Sequence, residues 1–266
     1  MDLGLYDEEG AMRQRYLDLD DRTDETKERI ANSAWGWTSF EEMYTISWVY
    51  HENGLEGVVL TYPEIKSAVD NKIISDVSLL PTYHEIKNQK TCIDLVRERA
   101  LQRRFSVNLH FLKDLHAKLT RDLDQVGLFR RDIPIHRTYF HEIAQPTHIE
   151  HELTSVLDYL KTRPEHGLHP VELAANVHHR FMRVFPFSGT SGMIGRLLLN
   201  FVLLRHGYIP VIIHASDRQQ YYEALRGTER EFRGFLAAAM ENALDNAVRF
   251  LATEGSRGGS GRRAVP

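Results

Sequence analysis

Cysteine is almost absent. Cys92 stands alone among 266 residues, so neither an intrachain disulfide nor a multi-cysteine metal site can form, which fits a reducing compartment such as the cytoplasm. A basic excess is missing too. Lys and Arg number 33 against 37 Asp and Glu, a formal net charge of -4, which offers no general attraction to nucleic acid or an anionic membrane. No apolar run approaches the roughly 20 residues of a spanning helix; the longest, residues 197–204, is interrupted by Asn200. The first 21 residues are rich in Asp and Glu and lack the basic-then-apolar pattern of a secretory signal. The expectation is therefore a cytoplasmic protein with no nucleic-acid or membrane partner. Hydrophobic residues make up 42% and charged residues 26%, enough for one domain with a substantial core.

What is present is helical periodicity. Apolar residues recur at helix spacing in Ile86, Cys92, Ile93 and Val96, and again in Val107, Phe111, Leu112, Leu115 and Leu119, which predicts a mainly α-helical protein. Further helices are expected at about 39–50, 63–69, 149–160, 170–184, 192–206, 217–225 and 229–251. Residues 1–22 are charged and weakly patterned and are expected to be a flexible N-terminal segment; residues 254–266, rich in Gly, Ser and Arg, read as a disordered tail. Residues 131–145 combine strand-forming types with Pro134 and are expected to form an extended or hairpin flap. Histidines are abundant, 14 in all, and His148 and His151 share a helix face. No third ligand is placed by pattern, so no metal site is expected.

The most informative run is residues 176–200. Pro186 ends one helix and biases Phe185 away from helical dihedrals, while Ser188, Gly189, Thr190, Ser191 and Gly192 form a turn into the next. A Gly-rich loop opening a helix presents unpaired N–H groups and a positive dipole end to an anion, but ordinary interhelical turns look the same.

The frame Phe185-Pro-Phe-Ser-Gly-Thr-Ser-Gly-Met-Ile-Gly-Arg196, followed by residues 197–200, resembles the Fic (Fido) family motif His-Pro-Phe-x-Asp/Glu-Gly-Asn-Gly-Arg-x-x-Arg without insertion or deletion. Residues 178–183 are similar to the helix that precedes this motif, and residues 216–225, with Tyr221 and Tyr222, to the helix on its nucleotide side. Residues 50–65 are similar to the family's inhibitory-helix segment, placed at about 39–57, in which Glu56 is the glutamate expected to pair with Arg196. The resemblance implies an all-α Fic fold with a small β-hairpin flap over residues 23–253.

What the resemblance implies about chemistry is set by the substitutions. Phe185 replaces the histidine that acts as general base and has no titratable atom. Gly189 replaces the acid that holds the divalent cation, so Mg²⁺ loses its protein ligand; Ser191 replaces the asparagine and Met193 the first arginine. Ordinary protein adenylyltransferase activity is not expected. The first expectation is a binding module for a protein partner or a nucleotide such as ATP, with Ser188, Gly189, Thr190, Ser191, Gly192, Met193, Arg196, Tyr221 and Tyr222 as candidate contacts. The second is altered chemistry on a phosphate-containing substrate, with proton transfer by His178, His179, His136 or His141; the family carries AMP, phosphate and phosphocholine transfer on one fold. The third is residual AMP transfer inhibited by Glu56. Phe185 and Met193 either fill the vacated site or leave it open, Arg196 with Glu56 is either a structural pair or a ligand site, and a homo-oligomer is compatible with each.

Overall fold

The computed structural model describes residues 3–33, 36–72, 76–120, 123–134, 142–162 and 167–258. The described residues form ten α-helices: α1 (Leu3–Ala31), α2 (Gly36–Leu55), α3 (Tyr62–Val69), α4 (Leu80–Leu101), α5 (Leu109–Leu119), α6 (Ile149–Thr162), α7 (Pro170–Val184), α8 (Ser191–Arg205), α9 (Arg218–Arg226) and α10 (Glu229–Gly258). Among the described residues there is no strand. The expected flap falls largely on residues 135–141, outside those described, and its flanks at 131–134 and 142–145 carry no strand.

Local signals account for several boundaries. Asn108 caps α5, its side chain accepting from Phe111 N at 2.9 Å, and Glu64 accepts from Thr61 N at 2.7 Å to open α3. Pro170 occupies the first turn of α7, where its missing N–H costs nothing.

α7 and α8 form the centre. They pack most extensively on each other; α8 then meets α4, and α7 meets α10 and α6. Val171, Leu173, Val177, Phe181 and Met182 from α7 and Ile194, Leu197, Leu198, Phe201 and Leu203 from α8 are all buried. The two helices approach closely at Gly195, where a Cβ atom would lie 3.0 Å from both Met182 Sδ and Phe181 Cδ1. Asn200, the polar interruption in the apolar run, exchanges two hydrogen bonds with the backbone of Val211 at 2.8 and 2.9 Å. It anchors the chain that leads toward α9.

The N-terminal segment departs from expectation. Residues 3–31 are helix α1, packed along α10. Its buried positions are Tyr16, Leu19, Thr23, Thr26 and Ile30, a regular three-and-four spacing whose two threonines weaken the apolar signal. Arg15 clamps Glu241, with Nη2 donating to Oε2 at 2.8 Å, and Arg22 reaches Asp245 at 2.7 Å. At the other end α10 continues to Gly258, five residues into the expected tail.

Because Leu19 is 1% exposed, Leu19→Ala is expected to lower unfolding free energy by about 2–5 kcal/mol, as for other buried leucines. Urea denaturation checks this; a change within about 0.5 kcal/mol would be that of an unpacked segment.

Candidate functional site

The loop between α7 and α8 begins with an unusual backbone. Phe185 ends α7 at φ 48, ψ 61, in the left-handed region that bulky residues rarely occupy and that costs on the order of 1–3 kcal/mol. Its surroundings hold it there. Phe185 N donates to Phe181 O at 2.9 Å, and its own carbonyl accepts from Arg130 Nε at 2.6 Å. Arg130, 3% exposed, also donates to Asp132 O at 3.1 Å, Val184 O at 3.2 Å and Ala144 O. Burial pushes its pKa down from the ordinary value, yet a cation at the end of α7 complements the orphan carbonyls there. Arg130 N to Pro186 O at 2.9 Å and Ala144 N to Arg183 O at 2.8 Å complete the clasp. Ser191 ties the loop's far side, accepting from Phe187 N at 2.7 Å and donating to Phe187 O at 2.8 Å.

One turn into α8 lies Arg196, 3% exposed. Its Nη2 is 2.6 Å from Glu56 Oε1, and its Nε is 2.8 Å from Glu52 Oε1, which Nη2 also meets. Both carboxylates project from the end of α2 and the turn after it, spaced i, i+4, so they reach the guanidinium together. Burial by itself would lower the arginine's pKa; Glu52, Tyr221 and Glu56 outweigh it and hold the pKa well above the ordinary value. Arg196 Nη1 donates to Tyr221 Oη at 3.3 Å, and that oxygen lies 2.9 Å from His178 Nε2. A buried polar chain thus runs from α2 through α8 and α9 to α7. Gly192 leaves room for it, since a Cβ there would lie 2.6 Å from Glu56 Oε1.

Beside this chain opens a cleft of about 410 Å³, lined by Asn53, Glu56 and Val58, Glu85 and Gln89 of α4, Leu119, Thr120, Gln125, and the loop residues Ser188, Gly189, Thr190 and Met193. Four of the expected contact residues therefore meet at the cleft, and Met193 is part of its wall. Arg196, Ser191, Gly192, Tyr221 and Tyr222 do not line it. Tyr222 instead approaches the carbonyl of Leu55 at 3.5 Å, where Arg218 Nε also donates at 2.8 Å, and so helps close the end of α2. Phe185 is fully buried away from the cleft wall; the cleft is open, while Arg196 is covered by two carboxylates.

The expected proton-transfer histidines are not at the cleft. His178 faces Tyr221, and His179 lies 3.0 Å from Gly227 O, with burial first among the causes that lower its pKa. His136 and His141 fall outside the described residues. The histidine that does approach is His116 of α5, 0% exposed. Its Nδ1 is 2.8 Å from Thr190 Oγ1 and its Nε2 2.8 Å from Gln125 O, and its ring stacks on Phe187 at 4.5 Å. Sequence reasoning missed His116, Arg130 and Glu52. Only Glu52 left a trace, in its i, i+4 spacing from Glu56.

Substituting Arg196→Met would leave two carboxylates facing each other in the interior, with an expected loss of about 3–5 kcal/mol by urea unfolding. A second outcome concerns pH. His51 of α2 lies flat on His214, ring centroids 4.2 Å apart, and accepts from Ala215 N at 3.2 Å. Burial first, then His214, lowers its pKa from 6.5 to about 4, with Asp217 opposing. The unfolded chain then binds a proton that the folded chain does not. Its contribution is complete above pH 6.5 and is lost as pH falls toward about 4. The urea midpoint is expected to fall over that window, and to fall less in His51→Asn.

Residues 106–203 match the family model described as Fic/DOC family. The chain is 25% identical over 242 residues to the protein adenylyltransferase Fic of Nematostella vectensis, covering 88% of this chain and 56% of that protein. It is 27% identical over 241 residues to that of Culex quinquefasciatus, covering 88% and 47%. The chain spans about half the length of the curated relatives it matches. A Fic domain containing signaling protein from Bacteroides thetaiotaomicron superimposes with a TM-score of 0.76 at 24% identity, over 90% of this chain and 98% of that one. Fic-1 (aa134 - 508) from C. elegans superimposes with a TM-score of 0.75 at 20% identity, over 92% and 74%. At these identities the two structures speak for the fold alone, which is shared over about nine-tenths of this chain, and the similarity to the Fic/DOC family model is carried by residues 106–203.

Proposed function

We infer that this Fic-domain protein has given up ordinary AMP transfer and uses its cleft as a ligand-binding module. The observation that carries the reading is the seat of Phe185, whose side chain is buried and whose main chain is clasped by Arg130. No base stands at the motif's histidine position, and the backbone there is held firmly. Supporting it, Gly189 brings no carboxylate to the cleft, and Met193 lines the wall where the motif has a cation. Arg196, the remaining motif cation, is matched by Glu52 and Glu56. Those two carboxylates exceed its charge by one, and Glu85 adds another carboxylate to the cleft lining. This donor set fits a triphosphate and its divalent cation poorly, because like charges at close range disfavour the anion. A nucleotide would be held through base and ribose, by amides and hydroxyls, rather than through its phosphates. No catalytic step is routed through ATP or Mg²⁺.

The adenylyltransferase activity named for the relatives gives the assay. Incubated with Mg²⁺ and ATP labelled at the α-phosphate, the wild-type chain is expected to label neither itself nor added proteins. The variant carrying Phe185→His, Gly189→Asp, Ser191→Asn and Met193→Arg should gain labelling if the scaffold is otherwise sound. Transfer by the wild type at a rate matching the restored variant would sink the reading. In calorimetric titration, adenosine is expected to bind at least as tightly as ATP.

A further inference from the structure

The cleft holds a second arrangement, one outside the motif's chemistry. Thr190 Oγ1 is 2.8 Å from His116 Nδ1, and His116 Nε2 is 2.8 Å from Gln125 O. A carbonyl oxygen can only accept, so Nε2 carries the proton and Nδ1 presents its lone pair; the Thr190 hydroxyl is therefore the donor to Nδ1. We propose that Thr190 is a nucleophile activated by His116 as general base, with Gln125 as the positioning residue, and that the cleft accepts an uncharged carboxylic ester for acyl transfer or hydrolysis.

Three further observations support this constellation. Thr190 is the N-cap residue of α8, yet its side chain caps no backbone N–H; the hydroxyl is committed to His116 instead. The first amides of a helix lack intrahelical acceptors and carry the positive dipole end, a field that favours negative charge developing next to the N-cap. His116 is fully buried behind Thr190 and stacked on Phe187, whereas Thr190 lines the cleft. The Nε2 side of the imidazole is held by Gln125 O in the interior, and its Nδ1 side is turned to Thr190 at the edge of the cleft, where water reaches Nδ1 once Thr190 is acylated. Burial, opposed only by the Gln125 hydrogen bond, lowers the pKa of His116, so the imidazole is neutral near neutral pH. A nucleophile within reach of a base that is itself oriented by a third group is the general pattern of covalent catalysis. The charge beside the loop selects the electrophile: Glu52 and Glu56 together exceed the single charge of Arg196, which disfavours an anionic phosphoryl group and leaves a neutral ester unopposed.

In the first half-reaction Oγ1 of Thr190 adds to the ester carbonyl carbon as its proton passes to His116 Nδ1. The tetrahedral species then expels the alkoxide, which takes that proton and leaves as the alcohol, with Thr190 acylated. In the second, water gives a proton to Nδ1 while its oxygen adds to the acyl carbon. Collapse returns the proton to Oγ1 and releases the carboxylic acid. The sum is ester plus water to acid plus alcohol, with no oxidant or cofactor.

This proposal rests on the cleft being a small-molecule site, and the following experiment tests it apart from AMP transfer. The full chain is mixed with p-nitrophenyl acetate, nitrophenol release is followed, and acid-quenched samples are mapped by peptide mass spectrometry. The acetyl group is expected on Thr190, with a rate that declines as pH falls through the titration of His116. His116→Gln should slow Thr190 acylation by about 10²- to 10⁴-fold. Thr190→Ser should retain the adduct and Thr190→Val should lose it, with the helical circular-dichroism spectrum of each variant showing that it is folded. Equal acylation of Thr190 in wild type and His116→Gln would overturn the proposal, as would an unmodified Thr190 in folded wild type together with nitrophenol release no faster than in Thr190→Val. ATP labelling by the wild type would overturn the loss of AMP transfer and leave the Thr190 result to stand by itself.

Discussion

The buried guanidinium of Arg196 is the point on which the rest of the structure depends. It sits on the first turns of α8, in the central helix pair, and binds two carboxylates at the end of α2. An arginine at that depth without partners would carry a desolvation cost of several kcal/mol, and the carboxylates would carry the same without it. Each therefore requires the others, and the end of α2 is held against α8 whether or not a ligand is present. Gly192 and Gly54 are the steric side of the same constraint. A Cβ on Gly192 would strike Glu56, and one on Gly54 would lie 2.6 Å from Ala215 Cβ. The two glycines let α2, α8 and the chain before α9 approach closely.

A second cation does comparable work on the other side of the loop. Arg130 donates to four backbone carbonyls, among them that of Phe185. Hydrogen bonds from a charged donor to otherwise unsatisfied buried carbonyls are stronger than neutral ones, and together they hold a left-handed phenylalanine that the chain by itself would avoid. The motif loop is thus pinned from both ends, by Arg130 and by the Ser191 bonds to Phe187. The functional reading therefore starts from a loop whose backbone is fixed and whose surface carries Ser188, Gly189, Thr190 and Met193. The cleft is left with amides, hydroxyls and carboxylates, and with one hydroxyl directed at a buried imidazole.

Much of the fold was legible in sequence because helical burial writes itself as a period. The stripes of α4, α5, α7 and α8 are apolar and continuous, and Pro186 with the following Ser and Gly residues marks the central loop. Where the period is written in other residues it was hidden. α1 buries Thr23 and Thr26 in the line of Tyr16, Leu19 and Ile30, so its stripe reads as polar. The flap expected at 131–145 rested on β-forming residue types, whose preference depends on pairing partners; its centre lies outside the described residues, and at its edges Arg130 and Ala144 clasp the loop.

The site divides in the same way. From sequence alone came the loop's frame, the absence of a titratable group at Phe185 and of a carboxylate at Gly189, and the approach of Glu56 to Arg196, because each follows from residue identity or from spacing along the frame. Tertiary structure decided the rest: that Glu52 is a second partner of Arg196, that Tyr221 belongs to that buried chain rather than to the cleft, that Phe185 leaves the cleft open, and that His116 meets Thr190. These pairs are joined across 144 residues for Glu52 and Arg196 and 74 for His116 and Thr190. No local period encodes such a distance. It is set only when α7 and α8 pack and carry α2 and α5 to the two sides of one loop.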